Sequence, residues 1–204
     1  IVTEFPVLQG IIGYYYAKND KLPEKLALAI RDHYKPLGPQ DTIPQHYEGQ
    51  ILALADKMDS LVMLHIAGER ASSSKDPLGL RRIALGIIRI IIEGNINIKL
   101  KDLISKLIRI NMKDQERSKE LLDFTLEFIE DRLKQHLKNQ YNIALVNSII
   151  NLDNDSDIIE LTNQLKQISQ LLASNKGKEI LQIYKRISSL MRSNERYILD
   201  KSLL

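Results

Sequence analysis

Apolar residues recur at three- and four-residue intervals along almost the whole chain, a spacing typical of α-helices. The pattern predicts an all-α fold with no convincing pair of β-strands. Segment 35–44 holds three prolines and a glycine and predicts a loop, as does the polar segment 68–75. In the first predicted helix, Gly10 and Gly13 share one side, which favours close packing there. The predicted helices span residues 7–18, 23–34, 45–67, 77–93, 101–110, 115–140, 142–151, 158–173 and 178–191.

The helix predicted over residues 77–93 is the most apolar. From residue 80 to residue 92 its apolar side chains cover the whole helix circumference, so we expect it to be mostly buried. Asp76 is expected to cap the first amides, with Pro77 at the first helical position. Three arginines interrupt the apolar run, and each requires a carboxylate, carbonyl or phosphate partner: Arg81, Arg82 and Arg89.

Charge is nearly balanced, because 29 Lys and Arg stand against 26 Asp and Glu. Neither half of the chain has the basic excess of an autonomous nucleic-acid-binding module, so any RNA contact is expected to be local. The absence of cysteine excludes disulfides and thiolate metal sites and is compatible with a cytoplasmic location. The longest apolar run, residues 83–92, is too short to span a bilayer, so no membrane partner is expected.

Three sequence runs stand in a recognisable order: EFPVLQGIIGYYYA at residues 4–17, ADKMDSL at 55–61 and KDPLGLRR at 75–82. Together they resemble the β subunit of the heterotetrameric type of bacterial glycyl-tRNA synthetase. A looser likeness continues through KRISSL at residues 185–190. Because the chain opens at Ile1 without an initiator Met, we also expect it to be a C-terminal fragment of such a subunit.

The resemblance implies a domain order and a function. It implies an HD-like multi-helix domain over residues 1–97, a helical linker over 98–151 and the start of a helical anticodon-binding domain over 152–204. In this family the α subunit activates glycine with ATP and Mg, while β supplies tRNA contacts. The fragment is therefore expected to be non-catalytic, to bind no cofactor itself, and to have the α subunit and tRNA(Gly) as cytoplasmic partners.

An alternative is an active, metal-dependent HD-type phosphohydrolase. Asp56 stands where such domains place their last metal ligand, and His33 where a further histidine is common. The adjacent His-Asp pair that names the superfamily is absent from the sequence. We therefore interpret both residues as degenerate positions: Asp56 as a structural carboxylate bonded to Arg81, Arg82 or a helix end, and His33 as a helix-end histidine. The other histidines, at 46, 65 and 136, are expected at the surface or its boundary.

The best candidates for touching tRNA are Lys75, Arg81 and Arg82, which lie beside a polar loop at the positive end of a predicted helix. The competing interpretation is that these arginines form salt bridges with Asp56, Asp59 or Asp76. The loop also departs from the family pattern, because Ala-Ser-Ser stands at residues 71–73 where Pro-Thr-Gly is usual. Farther along the chain, Lys185 and Arg186 resemble the opening of the anticodon-binding domain, although they also suit a solvated helix flank.

Overall fold

A computed structural model of the chain describes residues 3–72, 75–151 and 157–193. Within these ranges it contains α-helices, one 3-10 helix (Pro6–Leu8) and no strand, which confirms the all-α prediction. The HD-like assignment stays a prediction. The helices are α1 (Ile11–Asn19), α2 (Glu24–Asp32), α3 (Tyr47–Ile66), α4 (Leu80–Glu93), α5 (Leu100–Asn111), α6 (Gln115–Leu137), α7 (Ile143–Ile149), α8 (Ile158–Ala173) and α9 (Asn175–Ser193).

The chain forms two compact units, residues 1–162 and residues 163–204. In the first unit, α1 packs on α2, α2 on α3 and α3 on α4, while α6 lies against α3, α4 and α5. Helices on both sides of residue 97 therefore share one core, and the predicted domain boundaries stay predictions. No helix in the described part of the chain combines the length and apolar character needed to cross a membrane.

Helix α4 packs against α3 and α6, and half of its 14 residues are buried. The expectation of burial all round the helix was wrong, because Ile83, Leu85 and Ile92 are only half-buried. The helix is strongly amphipathic, with Arg82 and Glu93 on the exposed side. Its fully buried face consists of Leu80, Ala84, Ile87, Ile88, Ile90 and Ile91.

The start of α4 differs from the prediction. Gly79 adopts a left-handed conformation (φ 68°, ψ 30°), so the helix begins at Leu80 and not at Pro77. The capping role of Asp76 is confirmed: its Oδ1 accepts the Leu80 amide at 2.8 Å and its Oδ2 accepts the Arg81 amide at 3.0 Å. The carboxylate thereby satisfies two amides that the helix itself leaves unpaired.

Helix α3 packs on the core along one face, and its two aspartates lie outside that face. Asp56 and Asp59 are exposed, and the buried positions follow the i, i+3, i+4 pattern of a helix packed on one side. That pattern includes Lys57 and His65, and the prediction that His65 lies at the surface or its boundary was wrong. The buried residues are Gly49, Ala53, Leu54, Lys57, Met58, Leu61, Val62 and His65.

The first predicted helix is interrupted before α1. Gly10 has φ 75°, and a Cβ there would lie 2.3 Å from the Arg31 carbonyl oxygen. A Cβ on Gly13 would lie 2.8 Å from Ile30 Cγ2. Both glycines thus allow the start of α1 to approach α2 closely, which agrees with the prediction that they share one side for close packing. Gly10, with its positive φ, is the N-cap residue of α1.

Candidate functional site

The turn that leads into α4 gathers the cationic residues that the sequence singles out. We define the α4 turn as residue 72 together with residues 75–82. The Ser72 amide donates to the Lys75 carbonyl at 3.0 Å, and the Lys75 amide donates to Ser72 Oγ at 3.1 Å. The Arg81 guanidinium donates to the Ser72 carbonyl and so closes the turn from the helix side. The result is a folded turn whose backbone is held by its own residues.

The two arginines of the α4 turn have different surroundings. Arg81 is half-buried and bonded to a backbone carbonyl, whereas Arg82 is exposed and has no hydrogen-bond acceptor among the described residues. The Arg82 guanidinium lies against Gly79, where an added Cβ would sit 2.8 Å from Arg82 Nη2. Lys75 is also exposed. Arg82 and Lys75 are therefore the solvent-facing cations of the turn.

The salt bridges proposed as the competing interpretation are not formed within the described ranges. Asp56 and Asp59 lie exposed on α3, and Asp76 bonds backbone amides of α4. Because the amides of Leu80 and Arg81 already donate to a carboxylate, they are not free to bind a phosphate. The exposed cations that could meet an anion at the α4 turn are the Arg82 guanidinium and the Lys75 ammonium.

The third arginine of α4 has a structural role. Arg89 Nε donates to Glu93 Oε1 at 2.6 Å, and its Nη2 to Oε2 at 3.2 Å. Its Nη1 donates to the carbonyls of Gly38 and Pro39 at 3.2 and 3.1 Å. Carboxylate and carbonyl partners satisfy this guanidinium, as the sequence requires, and tie the loop before α3 to α4.

Lys57 is the residue of this region that the sequence analysis missed. Its side chain is buried and crosses Gly86, where a Cβ would lie 2.8 Å from Lys57 Cε. The Nζ atom donates to the Tyr34 carbonyl at 2.9 Å. Burial lowers the pKa of the Lys57 ammonium below its usual value, against the opposing effect of Asp56 and Asp41. The signal available was the phase of α3, since position 57 falls on the same face as Leu54, Met58 and Leu61.

Lys57 and Arg82 share a small cavity beside the loop that follows α2. The cavity has a volume of about 170 Å³ and is lined by Tyr34, Pro36, Leu37, Lys57, Arg82 and Ile83. Its cations come from two different helices, α3 and α4. The fold therefore places Lys57 and Arg82 in the lining of one cavity, which the sequence spacing does not reveal.

The two degenerate HD-like positions do not form a ligand cluster with other residues. His33 is the C-cap residue of α2, with Nδ1 2.7 Å from the Ile30 carbonyl oxygen. Asp56 is exposed and forms no hydrogen bond or ion pair with Arg81, Arg82 or a helix end in the described ranges, so that part of its predicted role is corrected. Across residues 3–72, 75–151 and 157–193, no group of three His, Cys, Asp or Glu side chains could hold a metal ion.

His65 belongs to the packing of α3 against α6. Its Nδ1 lies 2.9 Å from Thr125 Oγ1, and its ring meets the rings of Phe124 and Phe128 edge-on at 4.9 and 5.3 Å. The Nε2 atom is buried and has no hydrogen-bond partner among the described atoms. Burial, with a smaller effect of Arg70, lowers the pKa of His65 to about 4. The imidazole is therefore neutral near pH 7.

In the second unit, Lys185 and Arg186 lie exposed on α9. Their geometry is that of cations open to solvent, and their predicted contact with tRNA stays a prediction.

Comparison with known proteins confirms the resemblance seen in the sequence. A family model described as glycyl-tRNA synthetase beta subunit matches residues 1–151. The glycine–tRNA ligase β subunit of Rickettsia canadensis (strain McKiel) is 45% identical over 191 residues, which cover 94% of this chain and 28% of the relative. The same subunit of Rickettsia bellii (strain OSU 85-389) is 43% identical over 193 residues, or 95% of this chain and 28% of the relative. The chain thus spans little more than a quarter of the length of these curated relatives.

Proposed function

The chain belongs to the glycyl-tRNA synthetase β subunit family, and we propose that the protein it forms part of supports the ATP-dependent attachment of glycine to tRNA(Gly). In this proposal the α subunit activates glycine with ATP and Mg, and this region contributes tRNA contacts without a catalytic residue. The observation that carries the proposal is the family match over residues 1–151, the range that includes the α4 turn.

Within that function, Arg82 and Lys75 are proposed to meet tRNA phosphates. Both are exposed, and the Arg82 guanidinium has no competing acceptor in the described ranges. Arg81 is proposed to act indirectly, because its bond to the Ser72 carbonyl holds the turn that presents its neighbours. The exposed pair on α9, Lys185 and Arg186, is proposed as a further tRNA contact. Phosphate contacts of this kind would position the tRNA and not select its sequence.

The test uses the complete α–β enzyme with Arg82→Gln and Lys75→Gln combined. We expect tRNA(Gly) to bind more weakly, and the slope of log affinity against log salt to fall by about 0.7–0.9 per lost contact. Glycyl-adenylate formation without tRNA should stay unchanged. The matched control replaces Arg117 and Lys21, which are also exposed, by Gln.

Two outcomes separate the parts of this proposal. An unchanged salt slope in the double variant would remove the α4 turn from the tRNA interface while leaving the family function intact. Failure of the unaltered α–β enzyme to charge tRNA(Gly) would overturn the proposed function itself.

The comparisons give no support to the alternative of a metal-dependent HD-type phosphohydrolase. The matched family model and the relatives described above are glycine–tRNA ligase β subunits. We therefore propose no second function.

A further inference from the structure

Helices α5 and α6 face each other across a cleft that the sequence analysis did not identify. The cleft has a volume of about 740 Å³. One wall is a stripe of α5 at i, i+3, i+4 spacing, and the other is a stripe of α6 at the same spacing. The polar residues that line it are Ser105, Arg109, Lys113, Gln115, Ser118 and Lys119. We call it the α5–α6 cleft.

All charged residues that line this cleft are positively charged. Arg109, Lys113 and Lys119 are exposed, and none of them forms an ion pair in the described part of the chain. The neighbouring Asp114 directs Oδ1 to the Arg117 amide at 3.1 Å, because it is the N-cap of α6. On α6, the helical period places Glu116 and Glu120 away from the stripe that lines the cleft. Three cationic residues thus line one concavity, and no carboxylate belongs to its lining.

The uncharged residues that line the cleft indicate which kind of ligand it binds. The Ser105 hydroxyl and the Gln115 carboxamide add donors suited to phosphate oxygens, whereas the Ser118 hydroxyl donates to the Asp114 carbonyl. No aromatic ring lines the cleft. Base stacking would require such a ring. A protein partner would be expected to insert an aromatic or aliphatic anchor against exposed apolar residues. The apolar residues that line the cleft, Ile108, Met112 and Leu122, are instead buried or half-buried.

From these observations we infer that the α5–α6 cleft binds the phosphate backbone of tRNA. The inference rests on the proposed function and adds a second contact, separate in the sequence from the α4 turn. Its three cations come from α5, from α6 and from the connection between them, so the cleft offers a charged group for more than one backbone phosphate. Because its donors reach phosphates and not base edges, it strengthens binding of any tRNA alike.

The experiment replaces Arg109, Lys113 and Lys119 by Gln in the complete α–β enzyme. We expect the salt slope of tRNA binding to decrease by about 2.1–2.7 units, since each of the three lost phosphate contacts contributes about 0.7 on a single strand and about 0.9 on a duplex. The affinity ratio between tRNA(Gly) and a non-cognate tRNA should not change. The charge-matched control replaces Arg117, Lys138 and Lys21 by Gln, because these residues are exposed and outside the cleft lining. The control should retain the wild-type slope.

Three results would overturn the inference. The first is a triple variant with the same slope as wild type, while the unaltered enzyme binds and charges tRNA(Gly). The second is an equal loss of slope in the control, which would indicate a general charge effect. The third is impaired α–β assembly with an unchanged slope, which would assign the cleft to a protein contact.

If the triple variant does not fold, Lys119→Gln alone provides the test, with an expected decrease in slope of about 0.7–0.9. An unchanged slope in that folded variant also overturns the inference. Failure of the unaltered enzyme to bind tRNA(Gly) would instead remove the proposed function on which the inference rests.

Discussion

Helices α4 and α9 have similar apolar periodicity but different exposure. The core-facing isoleucines of α4 are completely buried. On α9, the apolar stripe at i, i+3, i+4 and i+7 remains about half exposed or more: Ile180, Ile183, Tyr184 and Ile187. An apolar repeat predicts that a segment can form an amphipathic helix. Burial of its apolar face also requires another part of the protein to pack against that face. The two helices therefore make different contributions to stability even though their sequences follow one pattern.

The strongest test of this comparison is a truncation within α4. Ile88→Ala should destabilise the fold by about 2–5 kcal/mol, because Ile88 is 0% exposed and the lost side chain leaves a cavity. Leu85→Ala, in the same helix but half-buried, should cost clearly less. Urea unfolding of both variants measures the difference. Equal losses would show that the burial assigned to α4 is wrong.

The second prediction concerns pH and the packing of α3 on α6. The folded-state pKa of His65 is about 4, below the ordinary value of 6.5, so the unfolded chain binds more protons between these two values. Stability should therefore be fully present above about pH 6.5 and fall as pH decreases towards 4, by about 3 kcal/mol over that window. Unfolding measured from pH 7 to pH 4 tests this.

A variant that lacks the His65 imidazole measures how much this side chain contributes to the pH dependence of stability. His65→Gln should reduce the pH dependence in that window and leave the part that comes from His136, whose pKa is also lowered by burial, whereas His46→Gln, at the N-cap of α3, should preserve all of it. A wild-type protein whose stability does not change between pH 6.5 and pH 4 would contradict the assigned burial of His65.

The third prediction concerns the start of α4. Asp76→Ala should cost about 0.5–2 kcal/mol, since the carboxylate caps the amides of Leu80 and Arg81. Asp56→Ala is the control, with an expected change of roughly 0.5 kcal/mol or less because Asp56 is exposed on α3. Comparable losses at both positions in thermal unfolding would restore the interpretation of Asp56 as a structural carboxylate.

The sequence predicts most helices well because its apolar period is continuous. The bounds of α8 are as predicted, and those of α5 differ by one residue at each end. The predicted helix bounds are wrong where the φ angle of a single residue determines where a helix begins. Gly79 and Gly10 both adopt positive φ, which delays α4 to residue 80 and separates the 3-10 helix from α1. Residue type permits that conformation but does not require it.

The sequence identifies which residues belong to the candidate site but not what each of them contacts. The sequence places Lys75, Arg81 and Arg82 together, but the acceptor for Arg81 is the Ser72 carbonyl, a group that every residue carries. Lys57 was missed because a lysine suggests exposure, while its long aliphatic stem allows burial with the ammonium on a carbonyl. The α5–α6 cleft was missed because its cations come from two helices and the connection between them, so only the fold brings them together.

The prediction with the smallest expected effect on stability concerns the exposed apolar residues of α9. Ile183→Gln combined with Ile187→Gln should change the free energy of unfolding of the chain by roughly 0.5 kcal/mol or less, because both side chains are more than half exposed. Glutamine also has a slightly better helix propensity than isoleucine, so the helical circular-dichroism signal should not decrease. Ile87→Gln in α4 is the matched control and should be severely destabilising, because it buries an unpaired amide. A loss of about 2 kcal/mol or more in the α9 variant would show that its apolar stripe is buried in solution as the α4 face is, and the difference between the two helices would then disappear.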